Sequence, residues 1–385
     1  MKISYYCQHV LGIGHLHRSL EICRAIARDH QIVLILGGPD ADIDSSGLNL
    51  FHLPGLRMDQ EFNNLIPCTP GSSVEEVRSK RKKLIFSHFT DYQPEVFITE
   101  LYPFGRKAFR FELDPVLSGI RDGSLPPCRC YCSVRDILVE KQQDRKIFEQ
   151  RVVQTLNNFF SGVLVHSDPD VIRLDRTFSR MKDISIPVSY TGFVSKPAVP
   201  NPGNRIRDRL KIAGDTRLIV GSIGGGNVGG ELLRIIVKAC RELEGKLDYH
   251  LQLFCGPYCS STLYKELKEH ESDSISVNIF TDNFLQWLTE ADLSISMGGY
   301  NTCMDLLRAE IPSLVYPFRQ NREQQMRGLA LAKKSAVQVL SEAELSPDIL
   351  SRKIKMMLDT PRQAVKVNLN GACRTVNQIN LWQKD

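Results

Sequence analysis

Short apolar runs bounded by glycine, proline and polar clusters alternate along this chain with stretches of helical spacing. Ile3 to Cys7 reads as a buried strand. His15 to Arg28 follows as a helix, with Leu16, Leu20, Cys23 and Ala27 at i, i+4, i+7 and i+11 on one face. Ile32 to Leu36, closed by Gly37-Gly38-Pro39, is a second strand, so the order is strand, loop, helix, strand. Ser73 to Glu76 has capping-box spacing and opens a helix carrying the basic run Arg78 to Lys83. Glu95 to Thr99, Arg129 to Val134 and Gly162 to His166 continue the strands. Strands alternating with helices predict a parallel, doubly wound α/β sheet.

The pattern then pauses at Lys196 to Gly203, the densest Pro/Gly stretch, and restarts. Leu218 to Ser222 is a strand. Glu231 to Leu243 is a helix whose buried face holds Leu232, Leu233, Ile236, Val237 and Cys240. Further strands fit Leu251 to Cys255, Ser276 to Phe280, Leu293 to Ser296 and Ser313 to Tyr316. The expected organisation is a Rossmann-like domain over residues 1–195 and a second over 204–362, facing each other across a cleft. Residues 363–385 are expected to form a C-terminal helix that returns to the first domain.

The 385 residues suit two domains at about 150 residues each. A formal net charge of +5 is too small a bias for a dedicated nucleic-acid binder, though it allows a local anion pocket. No run of about 18 apolar residues is present, and Met1 to Val10 lacks the apolar centre of a signal peptide. A cytoplasmic protein is expected, and the odd, scattered cysteines fit a reducing compartment.

Four segments could carry chemistry. In Gly12-Ile13-Gly14-His15-Leu16-His17-Arg18, glycines let backbone approach a ligand and a helix N-terminus attracts anions. A dinucleotide fingerprint would require glycine where His17 stands. His15 sits at the helix start, where an imidazole can act as a general base; the plainer alternative is a capping or carbonyl-bonded histidine. Gly12, Gly14 and Arg18 fall on the phosphate or acceptor side. The second segment, Gly221 to Gly230, has six glycines in ten positions, and Gly224, Gly225 and Gly226 suit a diphosphate cradle. In the third, Gly298 and Gly299 precede a helix start at Asn301 and Thr302, and Asp305 could take two ribose hydroxyls. Thr302 to Asp305 also has capping-box spacing, a purely structural use of the same carboxylate. In the fourth, Glu323 and Gln324 follow the Ser313 to Tyr316 strand, where they could meet sugar hydroxyls.

Other signals are set aside. Asp40-Ala41-Asp42 begins like a calcium loop, but Ser45 and Phe51 occupy the required Gly and Glu positions. Cys128, Cys130 and Cys132 alternate along a strand, which reads as a buried row on one face rather than a zinc site. No metal is expected. The Arg78 to Lys83 run reads as a solvated face that could also touch an anionic acceptor or a membrane surface.

Taken together these residues resemble a known family. The opening Gly-x-Gly-His-x-x-Arg and the region Ser296 to Asp305 followed by Pro317 to Gln325 are similar to family-28-type GT-B glycosyltransferases, the group of MurG-type N-acetylglucosaminyltransferases. Arg135 to Leu138, Tyr190-Thr191-Gly192 and Met297 to Thr302 also resemble, in the same order, a group of predicted bacterial glycosyltransferases. The resemblance implies a GT-B fold and a nucleotide-diphospho-sugar donor, UDP-linked, held by the C-terminal domain. It implies no cofactor and no essential metal. Gly224–Gly226 and Gly298 and Gly299 would meet the diphosphate, with Tyr300, Asn301 and Thr302 also on the donor side, Asp305 at the ribose, and Glu323 with Gln324 at the sugar. His15 would deprotonate the acceptor, whether saccharide, lipid-linked or small molecule, with inversion. The Ile13-Gly14-His15 arrangement with Arg18 also resembles nucleotide-sugar hydrolases of this fold. A hydrolase, an epimerase and a non-catalytic nucleotide-sugar-binding protein are the alternatives.

Overall fold

The computed structural model describes residues 1–9, 14–41, 43–59, 64–138, 144–198 and 205–384. The chain divides into two compact units, Met1–Val194 with Asn368–Asp385, and Ser195–Val367.

The first unit starts with β1 (Lys2–Cys7), α1 (Gly14–Ile26), β2 (Gln31–Leu36) and β3 (Asn49–His52). A small antiparallel hairpin follows, β4 (Leu56–Met58) and β5 (Leu65–Pro67), then α2 (Val74–Tyr92) and β6 (Val96–Glu100). Next come α3 (Arg110–Asp122), β7 (Arg129–Arg135), α4 (Arg145–Phe159), β8 (Gly162–His166) and β9 (Val188–Tyr190). Seven strands pair in parallel in the order β3-β2-β1-β6-β7-β8-β9. Strands β6 and β8 are buried throughout because helices cover both faces, which is why they read as unbroken apolar runs. The order reverses between β1 and β6. Ligands of open α/β sheets gather outside the strand C-termini at such a switch point.

The second unit holds α5 (Arg205–Leu210), β10 (Arg217–Ser222), α6 (Gly230–Arg241), β11 (Tyr249–Phe254) and α7 (Ser261–Lys268). It continues with β12 (Ile275–Asn278), α8 (Phe284–Glu290), β13 (Leu293–Met297), α9 (Tyr300–Ala309) and β14 (Ser313–Tyr316). It ends with α10 (Arg322–Leu331), β15 (Val337–Val339) and α11 (Pro347–Leu358). Its six strands are parallel in the order β12-β11-β10-β13-β14-β15, with the switch point between β10 and β13.

The chain then re-enters the first unit as α12 (Gly371–Trp382), shorter than the expected helix because 361–366 carry no helical turn. Val376 and Ile379 join the apolar face of α1, with Leu16, Leu20 and Cys23. Asn368 fixes the return: its N–H donates to Asp168 Oδ2 at 2.8 Å, its Nδ2 to Thr191 O, and its carbonyl accepts from Phe193. Gly192, at φ +92°, leaves room for Asn368; a Cβ there would sit 2.4 Å from the Asn368 amide. The Tyr190-Thr191-Gly192 segment is therefore a docking element for the C-terminal stretch. The three expected cysteines do share one face, against the core between the sheet and α3 and α4.

Beneath the sheet's C-terminal edge lies a buried charge network. The fully buried Arg81 of α2 donates to both carboxylate oxygens of Glu112, to the Gly37 and Pro54 carbonyls and to Gln8 Oε1. Tyr6 donates to the same Glu112 carboxylate. Satisfying nearly every donor is what makes two buried charges tolerable, and it ties α2 and α3 to the ends of β1 and β2. By its charge the Arg78 to Lys83 run reads as a solvated face. Arg81 breaks that reading because its helical position points inward.

Candidate active site

Each unit presents a polar cluster at its own switch point. In the first, β1 leads toward α1, whose second residue is His15. Its Nδ1 lies 2.7 Å from Oε1 of Glu100, the last residue of β6. Arg18, one helical turn on, donates to that same oxygen, and Arg106 Nε stands 3.9 Å from Oε2. Glu100 is fully buried, while the His15 side chain retains 19% exposure.

Burial pushes the His15 imidazole down to about 3; the Glu100 carboxylate opposes this, and Arg106 and Arg135 add to it. For Glu100, burial alone would raise the carboxyl, but His15, Arg18 and Arg106 outweigh it and hold it well below the usual carboxylate range. At neutral pH the pair is thus a neutral imidazole beside a carboxylate. Only Nδ1 can then donate to Glu100, and Nε2 keeps its lone pair. That is the arrangement of an oriented general base. A second buried polar chain supports the floor. Tyr5 OH, Ser133 Oγ and His166 Nε2 are linked at 2.8 and 2.7 Å, and His166 Nδ1 meets Thr191 Oγ1 at 2.9 Å.

Of the other expected residues here, Arg18 is buried and engaged with Glu100. Gly14 opens α1 at the surface. Gly12 lies outside the described residues. Glu100 and Arg106 carried no motif. The available signal for Glu100 was a carboxylate closing an apolar strand of a parallel sheet.

In the second unit the turn after β10 carries Gly224, Gly225 and Gly226. Gly224 (φ +66°) and Gly226 (φ +91°) need the left-handed region. A Cβ on Gly226 would strike Cys255 O at 2.6 Å and Cys259 N at 2.7 Å, so this turn is packed on the 255–259 loop. At Gly225 a Cβ would meet only Tyr258, at 3.7 Å.

The turn after β13 is shorter. Gly299 is the N-cap of α9, which opens without a side-chain cap and with no acidic residue in its first turn. Tyr300, Asn301 and Thr302 therefore form the first turn itself, a helix N-terminus suited to an anion. Because α9 starts at Tyr300, Thr302 to Asp305 is not a capping box. Asp305 lies one and a half turns into the helix, 8% exposed. The fully buried Arg327 of α10 reaches the Gly298 carbonyl at 3.5 Å, and its guanidinium lies 5.2 Å from the Tyr300 ring. It also donates to Glu323 Oε1 at 2.7 Å. Glu323 is thus folded inward rather than displayed. Gln324 Oε1 accepts from the Phe318 N–H at 2.9 Å, which orients its amide. No group of residues spaced to hold a metal ion occurs among the described residues, nor any helix long and apolar enough to cross a membrane.

Comparison with known proteins agrees with this layout. Residues 221–376 match the glycosyltransferase family 28 C-terminal domain. One curated relative, the UDP-N-acetylglucosamine–N-acetylmuramyl-(pentapeptide) pyrophosphoryl-undecaprenol N-acetylglucosamine transferase of Carboxydothermus hydrogenoformans, is 25% identical over 172 residues. That match covers 43% of this chain and 45% of the relative, so the chain spans under half the length of that relative. Among solved structures, the glycotransferase of kitacinnamycin superposes with a TM-score of 0.63 at 16% identity, covering 99% of this chain and 98% of that one. MurG of Acinetobacter baumannii gives 0.58 at 12% identity, covering 100% and 99%. Likeness at this level speaks for fold alone, and the fold is that of GT-B glycosyltransferases. The chain is thus similar over residues 221–376 to the glycosyltransferase family 28 C-terminal domain, within a fold shared with GT-B glycosyltransferases.

Proposed function

We propose that the chain is a glycosyltransferase that moves a hexosyl group from a UDP-linked sugar to an acceptor hydroxyl, inverting and without an essential metal. The observation that carries this reading is the His15–Glu100 pair at 2.7 Å, a neutral imidazole held by a buried carboxylate. His15 Nε2 takes the acceptor hydroxyl proton as the acceptor oxygen bonds to the anomeric carbon. The bond from that carbon to the β-phosphate oxygen breaks, and its electron pair leaves on UDP. Glu100 stabilises the imidazolium that forms.

In the second unit, the Gly224–Gly226 turn and the α9 N-terminus with Gly298 and Gly299 receive the diphosphate. Backbone amides and a helix dipole aimed at the leaving group stabilise the charge that develops there. Asp305 accepts from the ribose. The inward ion pair to Arg327 gives Glu323 the task of holding the Gly298 turn, while the Gln324 amide nitrogen meets a sugar hydroxyl. The acceptor is a hydroxyl compound, whether saccharide, lipid-linked or small molecule.

Gly225→Val tests the cradle. The position is open, so the fold should tolerate the side chain, which would stand where a phosphate must approach. We expect UDP affinity by calorimetry to fall about tenfold or more with an unchanged melting temperature; native affinity removes the cradle. Incubation with UDP-sugars tests the reaction. UDP release that requires an acceptor supports transfer, whereas release without one points to hydrolysis. Turnover is expected to persist in excess chelator, since amides and helix ends supply the positive potential; its loss there would assign that task to a metal.

A further inference from the structure

The loop behind the Gly224–Gly226 turn carries two thiols that the proposed reaction does not use. Cys255 follows β11 and is buried in the apolar cluster of the second unit, and Cys259, partly buried, packs against the same cluster. Their backbones converge on one point: a Cβ on Gly226 would lie 2.6 Å from Cys255 O and 2.7 Å from Cys259 N. The Cys259 N–H closes a turn on Gly256 O at 3.1 Å, and the two thiols interact directly across it.

The loop has no slack against the glycine turn. A Cβ on Gly256 would stand 2.3 Å from Gly224 O and 2.5 Å from Gly226 N, and the Tyr258 N–H donates to Gly225 O at 2.9 Å. On its other side the loop is held by Cys255 N–H to Asn278 O at 3.0 Å and Gly256 N–H to Ile279 O at 2.7 Å. A displacement imposed on residues 255–259 therefore passes to the turn, because close-packed interiors transmit strain.

The two sulfurs are not equivalent. Burial pushes the Cys255 thiol up to about 12, and Cys259 adds to the rise. Burial raises Cys259 as well, but the Cys255 thiol and the backbone of Tyr264 in α7 both favour its thiolate. The first proton thus leaves Cys259, which solvent reaches, while Cys255 keeps its own. That is the division between an attacking and a resolving thiol.

We propose that Cys255 and Cys259 form a dithiol modification site whose substrate is a low-molecular-weight disulfide, and whose closure into an intramolecular disulfide weakens donor binding. The effect on the donor rests on the reading of Gly224–Gly226 as the diphosphate cradle. The Cys259 thiolate attacks one sulfur of the small disulfide RS–SR. A Cys259–SR bond forms, the S–S bond breaks, and RS⁻ leaves with its electron pair. Cys255, having given its proton to solvent, attacks the Cys259 sulfur and expels the second RS⁻. Each departing thiolate takes a proton from solvent, so one small disulfide is reduced to two thiols as the protein dithiol is oxidised. The new bond draws the sulfurs to about 2.0 Å apart, and a loop packed this tightly accommodates it by shifting Gly226. Both thiols start protonated at neutral pH, so exchange is slow and the site answers a sustained oxidising shift.

The test takes the full chain, incubates it with oxidised glutathione at mildly alkaline pH, and reads peptide mapping by mass spectrometry alongside UDP calorimetry. The unaltered chain should yield a 255–259 disulfide and lose UDP affinity about tenfold, and dithiothreitol should reverse both. Cys259→Ser should bind UDP normally and keep that affinity after oxidation. Cys255→Ala should stop at a glutathione adduct on Cys259. Cys373→Ser, which removes the exposed thiol of α12, should still respond like the unaltered chain. Failure to form the 255–259 disulfide overturns the site, and so does an equal loss of affinity in oxidised Cys259→Ser, which would give the effect to another thiol. A mapped disulfide with native UDP affinity overturns its control of the donor. Gly225→Val separates that result from failure of the cradle: native UDP affinity in this variant sinks the cradle reading, whereas weakened affinity keeps the cradle and rejects only the switch.

Discussion

His15→Ala is expected to lower turnover with a UDP-sugar and acceptor by about 10²-fold to 10⁴-fold, the range of a positioned general base, while UDP affinity stays native. The donor groups of the reading all belong to the second unit, so calorimetry with UDP should not register the change. Glu100→Gln should fall by about 10²-fold or more. It keeps the volume of the side chain but removes the charge that selects the Nδ1–H tautomer and stabilises the imidazolium. The pH dependence has a definite sign. The active form is the unprotonated imidazole, so its contribution is lost as pH falls through its pKa. With that pKa pushed to about 3, kcat/KM in the free enzyme should stay level from neutral pH well into the acid range on account of this group. A limb near the ordinary histidine value of about 6.5 would mean that His15 is not buried as described. Unchanged turnover in His15→Ala would remove it from the mechanism.

Acid should unfold the first unit before the second. Burial pushes His166 down to about 3 and His88 to about 4, and both are within a few per cent of full burial. A histidine whose folded pKa lies below its unfolded value binds fewer protons when folded. Its stabilising contribution is complete above the unfolded pKa and declines as pH falls from there toward the folded value. Each pH unit in that window removes about 1.4 kcal/mol per group, so His88 and His166 together remove on the order of 5 kcal/mol by about pH 4.5. That is comparable to the whole stability of many domains. His15 adds in the same direction. In the second unit His250 is shifted down as well, by burial, but it has no companions of that kind. Differential scanning calorimetry from pH 7 to about 4.5 should therefore resolve two transitions, the first moving down faster. His166→Gln, which can keep bonds to Ser133 and Thr191, should blunt that movement. A single transition with no pH dependence would contradict the neutral buried state of these rings.

The sites differed in how far their sequence exposed them. The glycine turns and His15 were readable because they are local: a strand, a turn and a helix start lie within about fifteen residues, and the glycine pattern has few other uses. The edge strands β3, β9 and β15 escaped for the opposite reason. They are partly exposed, short, and lack an apolar run of their own. Glu323 looked like a displayed acid on a helix start, but α10 turns it toward Arg327, four residues on, whose guanidinium is fully buried.

What the chain's order of residues determined by itself was the two doubly wound sheets and the turns offered at their C-terminal edges, since hydrophobic periodicity and glycine placement act over a few residues. Only tertiary structure decided which charges meet. Glu100 lies 85 positions from His15 and Glu112 lies 31 from Arg81, and no local rule links such residues. They pair because parallel strand order carries the ends of β1 and β6 side by side, and because a buried charge has to find its partner wherever the fold delivers one.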